Sequence, residues 1–133
     1  MIEASNRPAY AVWFGSALLT FGALFHFSGV FAIPSSDPGG GMGFFETALR
    51  PLWLFASLHW LLIALICVIA SRSGGPTARA ILLCCAAAVL ADATLLYWFI
   101  GPFIGEIILA ATGIAFMIGA MKNRADVIHQ TTG

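Results

Sequence analysis

Four apolar stretches, at about residues 9–33, 52–70, 77–100 and 103–121, leave this chain few ways to fold. Each reaches or nearly reaches the roughly 20 residues that a helix needs to cross a hydrocarbon core. Inside lipid there is no water to satisfy the backbone, so every amide must pair within the protein. A helix does this within one segment, and the alternating pattern of a membrane barrel is absent. The expected fold is an all-α integral membrane protein, a four-transmembrane-helix bundle forming a single domain over residues 1–133. Composition agrees: 60% of the residues are hydrophobic and 9% charged, against roughly a quarter charged in a soluble domain.

The first stretch is expected to stay as a spanning helix and not to be cleaved as a signal peptide, because it is too long and Glu3 precedes the lone Arg7. Arg7, Arg72, Arg79, Lys122 and Arg124 make five of the six basic residues fall on one side of the membrane. Lys and Arg near helix ends stay cytoplasmic, so both termini are expected inside, in a bacterial inner membrane. The net charge is zero, which argues against a nucleic-acid partner.

Pro8, Pro51 and Pro102 are expected in the first turns of their helices, where a missing amide hydrogen costs nothing. SGGP at 73–76 marks one tight turn and IGP at 100–102 another. The outer loop, 34–50, ends in FFETALR, which can form a short interfacial helix with Glu46 paired to Arg50. Tyr10, Trp13, Trp53, Tyr97 and Trp98 fall at the depths of an interfacial aromatic belt. Trp60, beside His59 in SLHWLLIAL, does not. No convincing internal repeat is evident in the sequence.

Ionisable groups inside spans are costly and usually face a bundle interior or a cavity. Here there are four, His26, His59, Asp92 and Glu106, one per helix. His26 precedes Pro34 by eight residues and His59 follows Pro51 by eight, so both lie about 12 Å below the outer boundary at the helical rise. Asp92, nine residues before Gly101, lies at about 13 Å, and Glu106 at about 6 Å. Gly15, Gly22, His26 and Gly29 share a stripe on the first helix, as do Glu106, Ala110, Gly113, Met117 and Ala120 on the fourth. Small residues mark close helix contacts, so the polar groups are expected on packing faces and in one cluster. Ser28, Ser57, Thr94 and Tyr97 are near enough in sequence to support it.

Two imidazoles and two carboxylates suit zinc or non-haem iron as a metal set, and equally suit metal-free acid–base catalysis. No HExxH, HxxxH or CxxC motif chooses between these, and two level histidines also allow axial ligation of a haem or pigment. Cys67, Cys84 and Cys85 lie away from the cluster and are expected to pack as small apolar residues. The function expected from these residues is a membrane-embedded enzyme acting on a lipophilic substrate in the outer half of the bilayer. His26, His59, Asp92 and Glu106 are its candidate catalytic or metal-binding residues, and Trp60, Phe25, Phe27 and Tyr97 its candidate substrate-binding wall. The alternative is proton-coupled or ion-coupled transport, or a cofactor-binding small subunit, set in a homo-oligomer or a larger membrane complex.

Overall fold

Helix follows helix along the chain: α1 (Arg7–Ser28), a 3-10 turn (Gly29–Ala32), α2 (Phe44–Ser73), α3 (Gly75–Ile100) and α4 (Ile104–Thr131). The computed structural model describes the backbone of residues 7–32 and 44–131, and the side chains of 10–32 and 48–121. The loop before Phe44 and the Glu46–Arg50 pairing therefore lie outside the described residues or rest on a side chain that does. All four helices are long and apolar enough to cross a membrane, over Tyr10–Ala32, Ala48–Ser73, Gly75–Ile100 and Ile104–Met121.

Glycines make the turns. Gly74 and Gly75 adopt φ of 66° and 79°, and Gly101 φ of 89°, a region that side chains with a Cβ rarely enter. Pro76 then starts α3 with its fixed φ, and the Gly101 amide closes the end of α3 on the Tyr97 carbonyl at 2.9 Å. At Pro51 the expectation differs from the structure. α2 begins at Phe44 and runs through Pro51, so FFETALR is the first part of the spanning helix and not a separate element. α4 likewise continues past Met121 to Thr131 as helical backbone.

Each helix packs on two neighbours, α1 on α2 and α4, and α3 on α2 and α4, with the α2–α3 seam the least extensive. Small side chains let the helices approach: Ala23, Ala64, Cys67, Ala70, Ala78, Ala86, Ala93 and Ala120 are all buried. Large apolar residues such as Phe21, Leu62, Leu65, Trp98 and Phe99 point outward instead, an arrangement suited to lipid and not to water.

The two helical hairpins repeat each other in burial though not in residue identity. Val12, Gly15, Ser16, Leu19 and Ala23 on α1 are buried, and so are Leu82, Cys85, Ala86, Val89 and Ala93, each 70 residues later on α3. Trp60, Ile63, Ala64, Cys67 and Ala70 on α2 recur as Leu109, Thr112, Gly113, Phe116 and Gly119, each 49 residues later on α4. The pattern of buried positions therefore corresponds between the two hairpins, α1 with α3 and α2 with α4. Polar residues break it: His26, Ser57 and Trp60 stand opposite Leu96, Glu106 and Leu109.

Where α1 crosses α4, a Cβ at Gly15 would lie 2.9 Å from Phe116 Cε1 and 3.1 Å from Ala115 Cβ, and Phe116 is fully buried. At Gly22, one stripe position further, the nearest atom would be Ile108 Cγ2 at 3.5 Å, an ordinary contact. Gly15→Ala is therefore expected to cost about 1–3 kcal/mol of stability by overpacking, while Gly22→Ala costs far less. Thermal unfolding of the two variants in detergent checks this, and equal melting temperatures would refute the close α1–α4 contact.

Candidate functional site

α1 brings His26 to the end of the bundle where the 3-10 turn, the start of α2 and the start of α4 meet. Three residues of α2 receive it. Trp53, Ser57 and Trp60 stand at i, i+4 and i+7, one face of a helix. Trp53 lies flat on the His26 ring, with centroids 4.2 Å apart and planes 11° apart, and its indole N–H donates to the His26 carbonyl. Ser57 Oγ is 2.9 Å from His26 Nδ1, and Trp60 meets the imidazole edge-on at 5.0 Å. The contact requires a glycine at position 29, where a Cβ would come within 2.9 Å of Trp53 Cζ2.

Ser57 Oγ also lies 3.3 Å from the Trp53 carbonyl, four positions earlier on α2. Its one hydrogen serves either that carbonyl or His26 Nδ1, and the imidazole tautomer follows from which of the two receives it.

Trp60 points its other end away from His26. Its Nε1–H donates to Asp92 Oδ2 at 2.9 Å, and His59 Nε2 lies 3.6 Å from the same oxygen. Two consecutive residues of α2 thus converge on one carboxylate of α3. A carboxylate in an apolar setting needs such partners, since burial without them is costly. Phe55, one turn earlier, stacks on the outer face of His59 at 6.3 Å. Further along these helices, Cys67 on α2 and Cys85 on α3 are both buried.

The four ionisable groups predicted to form one cluster are therefore distributed. His59 and Asp92 come together. His26 joins them only through the indole of Trp60. Glu106 sits apart in the first turn of α4, with Oε2 buried and without a hydrogen-bond partner among the described residues. No group of three or more His, Cys, Asp or Glu able to hold a metal is present among the described residues. The zinc or iron set expected from the four residues is thus not assembled, because Trp60 stands between His26 and the His59–Asp92 pair.

What His26 faces is a cavity of about 530 Å³. Every helix contributes to its wall: Phe25 and Gly22 from α1, Trp53, Ala56 and Trp60 from α2, Leu96 and Ile100 from α3, and Ile108 and Leu109 from α4. His26 is the one ionisable side chain among its described lining residues. Of the expected substrate-binding wall, Phe25 and Trp60 line this cavity. Phe27 lies in a separate groove between α1 and α2, edge-on to Phe31, and Tyr97 is exposed. Ser28 lines the cavity while donating to the Phe25 carbonyl, and Thr94 donates to the Leu90 carbonyl within α3.

Trp53 is the site residue that sequence reasoning placed elsewhere, in the interfacial belt. Its spacing to Ser57 and Trp60 was the available signal, since i, i+4, i+7 puts all three on one face. No family model matches this chain, and neither the curated proteins nor the solved structures contain a match to it.

Trp60→Phe keeps the ring against His26 and removes the donor to Asp92. It is expected to destabilise the bundle by about 1–3 kcal/mol, the cost of an unsatisfied buried polar group. Adding Asp92→Leu to the same chain is expected to recover part of that loss, because replacing both partners by apolar groups is nearly neutral. Unfolding midpoints of both singles and the double give the coupling, and strict additivity would rule out the Trp60–Asp92 bond.

Proposed function

We propose that this chain is a membrane-embedded protein that binds a small lipophilic molecule in the cavity beside His26 and carries out acid–base chemistry on it. The observation that carries this reading is an apolar cavity built from all four helices with one ionisable side chain on its described wall. Its volume of about 530 Å³ lies within the range of small-molecule sites, which are typically apolar with few polar groups that fix orientation. An imidazole held by a stack, an edge contact and a hydrogen bond is pre-organised, so the protein need not order it when the ligand arrives. Histidine is also the side chain best suited to give and take a proton near neutral pH.

The setting that fits is a bacterial inner membrane with both termini cytoplasmic and the cavity in the outer half of the bilayer. Two features support that orientation. Five of the six basic residues gather at the opposite end from the cavity, and there Arg72 lies over the Trp13 ring at 5.4 Å, a cation held at an aromatic belt. Acid–base chemistry is favoured over the metal-assisted alternative because no three His, Cys, Asp or Glu side chains able to hold a metal come together among the described residues.

Hexylbenzene serves as a neutral probe of the cavity. In a chain carrying Trp13→Phe and Trp98→Phe, the remaining fluorescence comes from Trp53 and Trp60, both on the cavity wall. Saturable change on adding hexylbenzene is expected, and Ala56→Phe, which fills the cavity, is expected to weaken it at least tenfold. A non-saturating response identical in the filled variant would overturn the binding reading. Elemental analysis of the same protein tests the chemistry: stoichiometric zinc or iron would overturn the metal-free assignment.

A further inference from the structure

The cavity's chemistry narrows the ligand class, an inference that rests on the binding reading above and goes further. Ser71, Thr94 and Thr112 each give their hydrogen to a carbonyl three or four residues back in their own helix. The same choice at Ser57, toward the Trp53 carbonyl, leaves Nδ1–H to donate to Ser57 and Nε2 with a bare lone pair. A neutral imidazole fixed this way accepts a hydrogen bond and does not donate one.

Charge on the ligand is disfavoured from both sides. No carboxylate, lysine or arginine is among the described residues lining the cavity, so neither an ammonium nor an anion would find a counter-charge there. The remaining walls near His26 are the indoles of Trp53 and Trp60 with the rings of Phe25 and Phe103, which favour a flat ring by offset or edge contacts. The cavity is not closed. Phe25 at 62%, Leu52 at 62% and Ile100 at 68% exposure all line it, so its wall reaches the outer surface of the bundle. An apolar tail can leave through that side while the head stays on His26.

We infer that the cavity selects a neutral ring-headed lipophile bearing a hydroxyl that donates to His26 Nε2, with its apolar tail directed outward between the helices. Two features of this assignment are independent. The hydroxyl is demanded by the direction of the Ser57–His26 hydrogen bonds, and the ring by the aromatic wall. The same geometry lets His26 take the hydroxyl proton and return it, with no other reactant involved.

A matched pair tests it: 4-hexylphenol, which donates a hydrogen bond, against 4-hexylanisole, in which a methyl group replaces that hydrogen. In the chain with Trp53 and Trp60 as sole indoles, the phenol is expected to bind about tenfold more tightly, the equivalent of one hydrogen bond satisfied in an apolar site. In His26→Phe the ring stack on Trp53 is kept and the acceptor lost, and the two affinities are expected to converge. Nitrogen-15 NMR of His26 in the unmutated chain gives a readout that needs no variant. Its Nε2 resonance is expected in the unprotonated range and to shift with the phenol but not with the anisole. Equal affinities in the unmutated chain, a preference that persists in His26→Phe, or a protonated Nε2 would each overturn the inference while leaving lipophile binding intact. Failure of both probes to bind would overturn the binding reading beneath it.

Discussion

The hydrogen bond from Trp60 to Asp92 is the interaction on which the site depends. A carboxylate within an apolar span has to be met by donors, and α2 supplies the indole N–H of Trp60, with the His59 imidazole 3.6 Å from the same oxygen. That demand fixes the Trp60 ring. Once the indole N–H is committed to α3, its other edge is turned toward His26 on α1. One side chain thereby links three helices, across the seam where α2 and α3 otherwise touch least.

His26 is held by different means, and the difference matters for chemistry. Asp92 is held through one carboxylate oxygen, whereas His26 is clamped through its ring face, its ring edge and Nδ1. Clamping a reactive group through every atom except the one that reacts is how a site pre-pays the ordering cost of binding. Gly29 makes the clamp possible, since any side chain there would occupy the space of the Trp53 indole.

The matching burial of the two hairpins shows where the site departs from a shared packing pattern. The buried positions of α1 and α3 correspond, as do those of α2 and α4, so the scaffold is the same in both halves. The aromatic and imidazole groups occupy only the first half, opposite Leu96 and Leu109 in the second. At those positions the first hairpin carries the imidazole and indole, while the second supplies the Asp92 carboxylate that holds Trp60.

Sequence by itself determined the four helices, because backbone groups without water must pair locally and the apolar runs have the length to span. It also singled out His26, His59 and Asp92 at one depth, since rise per residue converts spacing into height. Turns were legible for the same reason of local chemistry: Gly74, Gly75 and Gly101 stand where φ is positive. What only the tertiary structure decided was rotation about each helix axis and the partners that result. Depth says nothing about whether Trp60 intervenes between His26 and Asp92, nor that Glu106 remains in its own helix turn. Trp53 shows the limit most directly: at an interfacial depth it reads as belt, and only the approach of α1 at Gly29 turns it into the face that holds His26. The burial repeat was hidden likewise, because packing conserves which positions are covered and not which residues cover them.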